Sequence, residues 1–191
     1  VTKICTAVSP TISSIDHGEI VMQRPFRAPH HTVSTGGLIG GGSNPLPGEI
    51  SLAHRGVLFL DELPEIRRDA LEALRVPLET QSVLISRSKM RLCFPADVLL
   101  IGAMNPCPCG KFGGQSVDIC RCSLNLRQRY AARLSEPMRE RFDLHVWLPP
   151  LKAEELGGAL DPDPTATMRK RIVEAKQRRG GGAEHQQCPV A

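Results

Sequence analysis

Aromatic side chains are few in this chain of 191 residues: five Phe, one Tyr and one Trp, 4% of the total. Long hydrophobic runs are absent as well. No apolar stretch approaches the roughly 20 residues that a membrane helix needs, and no secretory leader opens the chain. Neither a membrane-spanning nor a secreted class is indicated. Charge of one sign is in little excess: a formal net charge of +4 is a mild basic bias and does not by itself argue for nucleic acid. No internal repeat occurs, which sets repeat architectures aside. The last absence is a motif. The phosphate-loop pattern G-x-x-x-x-G-K-[ST] is nowhere in the sequence: "GGLIGGGS" lacks a lysine, and in "CGKFGG" the lysine is followed by Phe112. Neither stretch can cradle a β/γ-phosphate and hold magnesium.

What is present fits one domain with a real core and a short appendage. The 17 Gly and 16 Pro imply long irregular connections. The chain opens on Val1 rather than Met, so an upstream part is expected. Seven cysteines without a secretion signal point to a reducing compartment, the cytoplasm, and to metal or free thiols rather than disulfides.

The most informative stretch is "HRGVLFLDELPE", residues 54–65. Val57 to Leu60 do not alternate, so they read as a strand buried on both faces. Asp61 and Glu62 then fall at its C-terminal end, where open α/β sheets place their ligands. Two carboxylates there suit a magnesium ion and an activated water. The plainer alternative is an acidic strand end meeting a helix N-terminus. "DVLLIGAMN" reads as a second fully buried strand ending in Asn105, and "LHVWLP" as a third core strand.

Between these lie weaker signals. "PFRAPHHTVSTGGLIGGGSNPLPG" is a loop with one helical turn inside, and "GEISLAH" a short helix or turn. "EIRRDALEALRVPLE" puts Ile66, Ala70, Leu71, Leu74 and Leu78 on one helical face, with Pro77 bending or ending it. "SVLISRSKMRLCF" is predicted to be a β-hairpin with a basic turn. A helix from about Leu124 to Leu134 is expected, capped by Ser123, then a short one in "EPMRERFD" and a polar one near 165–179. "GGGAEHQQCPVA" should be disordered.

In this order the pieces resemble one family. "RPFRAPHH", "GGGSNPLPGEISLAHRGVLFLDELPE", "ALEALRVPLE", "FPADVLLIGAMNPCPCG" and "RYAARLSEPMRERFDLHV" are similar to the magnesium-chelatase-like ComM/YifB family of bacterial AAA+ proteins, from about Gln23 to Pro150. The resemblance implies an ATP- and Mg2+-dependent homo-hexameric motor acting on branched or single-stranded DNA during natural transformation. By position it makes Asp61 and Glu62 the Walker B acids. It makes Asn105 the sensor beside the γ-phosphate, and Arg141 an arginine finger reaching a neighbouring subunit's nucleotide. For Arg141 the alternative is a surface salt bridge. The family's phosphate loop would precede Val1, and its helical lid would follow this chain. Glu136 stands where the family usually has glycine.

Cys107, Cys109, Cys120 and Cys122 form C-P-C-x10-C-R-C. Two close thiol pairs across a short loop could close a tetrahedral zinc site; free thiols are the rival. Cys5, Cys93 and Cys188 read as unpartnered core or tail residues. Arg87, Lys89 and Arg91 alternate in the hairpin turn, which places them on one face. They are either a nucleic-acid grip through phosphates or a charge-protected edge. His30 and His31, adjacent in a loop, should point different ways and serve structure or nucleic acid rather than zinc.

The sequence therefore predicts an α/β fold: a partial AAA+ P-loop NTPase core with a parallel sheet flanked by helices, a β-hairpin insertion and a cysteine-rich loop. Residues 1–150 would hold that core, and 151–191 a linker, a partial lid helix and a tail. The expected function is part of an ATPase motor that remodels DNA. The rivals are a non-catalytic zinc-loop module binding nucleic acid or protein, and a disrupted reading frame.

Overall fold

The apolar run Val57–Leu60 forms strand β4, the centre of a three-stranded parallel sheet. A computed structural model describes residues 24–87, 90–113, 120–148 and 164–178. In it β4 is flanked by β1 (Phe26–Arg27) and by β7 (Leu99–Gly102). The register pairs Val57 with Leu99 and Leu60 with Gly102, so the C-terminal ends of β4 and β7 emerge side by side. Short elements fill the chain between β1 and β4: α1 (Thr35–Ile39), the β2–β3 ribbon (Gly40–Gly41 with Leu46–Pro47) and α2 (Glu49–Leu52). After β4 come a 3-10 turn (Leu63–Glu65), α3 (Arg68–Ala73) and α4 (Arg75–Thr80). The hairpin of β5 (Ser82–Arg87) and β6 (Met90–Pro95) then leads into β7. Two serine-capped helices close this unit: α5 (Leu124–Ala131) and α6 (Glu136–Arg139).

The core lies on one face of the sheet. Leu58 and Leu60 of β4 are fully buried with Leu38, Ile50, Leu71, Leu74 and Met138. Each such side chain contributes about 1.5–3 kcal/mol relative to an exposed one. The other face departs from expectation. Leu99 and Ile101 are 61% and 42% exposed, in register with the half-buried Val57 and Phe59. β4 and β7 are therefore apolar on both faces but covered on one, because among the described residues no layer packs on the second. The third core strand is corrected for the same kind of reason: residues 144–148 take no strand, and Leu144 and Val146 are 84% and 78% exposed. Among the described residues no strand pairs with their backbone.

The predicted single helix is two. Pro77 has no N–H for the Ala73 carbonyl and its ring crowds that carbonyl, so α3 ends at Ala73 and α4 restarts at Arg75. The apolar face survives the break: Ile66, Ala70, Leu71 and Leu74 are buried, with Leu78 packed against them. The hairpin is as predicted, with one correction. Its ladder pairs Ser86 with Arg91 and Arg87 with Met90. Positions 87 and 91 thus stand on successive rungs and alternate across the ribbon; Lys89 lies outside the described residues. Cys93 is disulfide-bonded, which corrects the expectation of an unpartnered residue; Cys5, Cys188 and the glycine-rich tail lie outside the described residues.

The chain divides after Trp147 into two units. In the second, the helix Pro164–Arg178 has the polar composition expected near 165–179. No helix among the described residues is long and apolar enough to cross a membrane.

Candidate functional site

Chemistry gathers at the C-terminal edge of the parallel sheet. Ala103 donates its N–H to Leu60 O at 2.9 Å, and Leu63 donates to Ala103 O at 3.0 Å. These two bonds carry the β4–β7 pairing past the strands and hold the Asp61–Glu62 turn beside the Met104–Asn105 segment. Both acids are exposed. Asp61 turns one oxygen back to accept the Glu62 N–H at 2.8 Å. Glu62 sits in the left-handed region, φ 51°, ψ 44°, a conformation costing a non-glycine residue about 1–3 kcal/mol and concentrated at functional sites. Its carboxylate meets His31 Nδ1 at 2.8 Å. The sequence did not foresee this pair, which joins residues from different strand ends. Nor do His30 and His31 point apart: their ring centroids lie 4.0 Å apart, with the planes tilted by 35°.

Asn105 is exposed at the neighbouring strand end. Its backbone N–H bonds the buried Tyr130 hydroxyl of α5. Burial, then the charge of Glu65, holds that phenol above its usual range, while the Asn105 bond works the other way. Arg141 lies beyond α6, and its Nη2 is 3.3 Å from Glu79 Oε2 at the end of α4. That contact is the surface bridge named as its alternative role. The sheet edge thus joins Asp61, Glu62 and Asn105, and Arg141 is bonded elsewhere.

Two residues past Asn105 the cysteine loop begins. The Sγ atoms of Cys107, Cys109, Cys120 and Cys122 all lie within 4.8 Å of one another. Cys107 Sγ is 3.3 Å from Cys109 Sγ and 3.7 Å from Cys120 Sγ, and the latter two are 3.7 Å apart. Tetrahedral zinc with Zn–S bonds of about 2.3 Å separates its sulfurs by about 3.8 Å, so the cage has the right size. Gly110, at φ +74°, turns its N–H onto Cys107 O at 2.9 Å and closes the first thiol pair. Burial opposes ionisation of Cys107. Hydrogen bonds from Cys109, the Phe112 N–H and Cys120 outweigh it and bring the thiol down to about 6. At Cys122 the Cys109 N–H favours the thiolate, but the Cys109 sulfur and burial push the thiol up to about 11. One ready thiolate among crowded thiols is a donor set suited to a thiophilic divalent cation. Phe112 carries the Arg127 guanidinium 4.0 Å above its ring, tying the loop to α5.

A parallel α/β sheet with an acid pair at one strand end, and an amide at the end of its neighbour, defines the class: a partial P-loop NTPase core of the AAA+ type. Family comparison is more specific. The family described as magnesium chelatase, subunit ChlI, matches residues 3–156, and the chain belongs to it. It is 47% identical to the competence protein ComM of Haemophilus influenzae over 156 residues, 81% of this chain and 30% of that protein. It is 43% identical to the uncharacterized protein YifB of Escherichia coli over 175 residues, 89% and 34% respectively. The YifB protein of Salmonella typhimurium is 45% identical over 157 residues, 82% and 30%. The chain thus spans about a third of the length of these curated relatives.

Proposed function

We propose that this chain is the acid, sensor and arginine-finger part of an ATP-driven hexameric motor that remodels branched DNA during natural transformation. The observation that carries the reading is Asp61–Glu62 and Asn105 standing at adjacent ends of parallel strands. ATP with Mg2+ would supply a transferable phosphoryl group whose developing charge the site must neutralise. Asp61, one oxygen tied to the Glu62 N–H, has a second to offer the metal. Glu62 would orient the attacking water and take its proton. Asn105 would donate its amide to the terminal phosphate region, and Arg141 would act on the nucleotide of the next subunit. The phosphate-binding loop, missing from the 191 residues, is assigned to polypeptide beyond them.

The transformation part is supported by the name of one relative, competence protein ComM, and the DNA part by the basic residues of the hairpin, Arg87, Lys89 and Arg91. Sequence-independent phosphate contacts there would be salt-sensitive. The cysteine cage favours a structural zinc that clips the Asn105 segment to α5. It also supports a second reading, a metal-stabilised binding module without turnover, since that cage is complete within the chain.

Glu62→Gln separates the two. In the polypeptide that supplies the phosphate loop, it should leave Mg-ATP binding intact and lower steady hydrolysis by about 10²-fold or more. Unchanged hydrolysis would reject the motor reading. The 191 residues alone should bind Mg-ATP no better than about millimolar, roughly −4 kcal/mol.

A further inference from the structure

Glu62 is constrained from both ends. Asp61 fixes its backbone N–H, and His31 Nδ1 holds Oε2 at 2.8 Å. His31 stands in the loop between β1 and α1, and that loop is anchored on both sides. Before it, Arg27 donates two hydrogen bonds to Glu49, at 2.6 and 2.7 Å. After it, the Thr35 hydroxyl donates to Asp69 at 2.9 Å. Within it, His30 Nδ1 accepts the Thr32 N–H at 3.4 Å and lies 2.9 Å from the Thr32 hydroxyl. The His30 ring therefore lies against the His31 ring, centroids 4.0 Å apart and planes tilted by 35°.

We propose that His31 is a positioning residue for the water-orienting carboxylate, a role that rests on the reading of Glu62 given above. A glutamate on a flexible stem samples several rotamers. A donor on one oxygen selects one of them and leaves the other oxygen for the water. The 2.8 Å contact needs the proton on Nδ1 of His31, whereas the Thr32 N–H needs Nδ1 of His30 bare. The two neighbouring rings therefore present opposite Nδ1 states, carrying a proton in His31 and bare in His30, each set by its own partner. The left-handed backbone of Glu62 supports the same role, since it is an uncommon conformation that the surrounding bonds hold in place.

The test has two arms. On the 191-residue chain, the His31 ring nitrogen resonances should shift in Glu62→Gln and stay put in Glu65→Gln. In the polypeptide that supplies the phosphate loop, His31→Ala should lower kcat about 10- to 100-fold, as expected when a reacting group is misplaced, with KM for Mg-ATP unchanged. His31→Asn, whose amide reaches the same place as Nδ1, should restore most of it. A silent nitrogen spectrum overturns the pair itself. An unaffected kcat in His31→Ala, where Glu62→Gln abolishes hydrolysis, overturns the positioning role alone. Hydrolysis that survives Glu62→Gln overturns the reading of Glu62 and this role with it.

Discussion

The cysteine cage and the carboxylate corner leave neighbouring points of the same sheet edge, yet they are unequal in what they need. The cage is closed: four donors from residues 107–122 converge within 4.8 Å, with backbone N–H groups already turned toward the sulfurs. The corner is open. Its acids are exposed, its histidine comes from another strand end, and Arg141 is held by Glu79. A site made of local sequence can assemble by itself; one made of strand ends needs the rest of the sheet and further groups. The cage should therefore answer to changes within this chain, and the corner only when its remaining parts are supplied.

The largest effect belongs to the cage. Structural zinc held by thiolates contributes about 10–16 kcal/mol at neutral pH, far more than any single contact elsewhere in this chain. The purified protein should carry one zinc per chain. Cys109→Ser and Cys120→Ser should each lose it, read by elemental analysis. Zinc no higher than background in the unsubstituted protein would remove the contrast. The next effect belongs to the corner. In the assembled, phosphate-loop-bearing protein, Arg141→Ala should leave ATP binding nearly intact and lower turnover by about 10³, roughly 4 kcal/mol. Equal losses in binding and turnover would mean that Arg141 serves its own subunit through Glu79.

Both regions were visible in the sequence to different degrees. The acids, Asn105 and the four cysteines are each attached to a local signal, an apolar run or a paired spacing; the structure sets the acids and Asn105 at the ends of neighbouring strands and gathers the four sulfurs within 4.8 Å. The His31–Glu62 pair was invisible because it joins residues that no periodicity connects. The double-sided burial of β4 and β7 was misread for a related reason. An apolar strand records that both faces are to be covered, not which segment covers them. Trp147 and Val146 carry the same record in a stretch that forms no strand. The hairpin erred differently: odd numbering does not survive a turn, and the register set positions 87 and 91 on alternate sides.

The smallest effect sharpens the comparison most, because it perturbs the cage without touching a ligand. Gly110 turns at φ +74° between Cys109 and Lys111. A methyl group there would meet Asn105 Oδ1 at 3.7 Å, an ordinary contact, so Gly110→Ala introduces backbone strain and no clash. For an alanine that strain is about 1–2 kcal/mol, about tenfold in affinity. Gly110→Ala should weaken zinc by that factor in a competitive chelator titration, and Gly110→Asn by less, since asparagine tolerates the left-handed region. Thermal unfolding of the metal-loaded sheet should stay the same, because no core residue moves. A tenfold loss of zinc with an unchanged core would establish the cage as a separate unit hung on the sheet edge. A core that weakens in step with the metal would mean that the loop from Cys107 to α5 is part of what holds β7 in place.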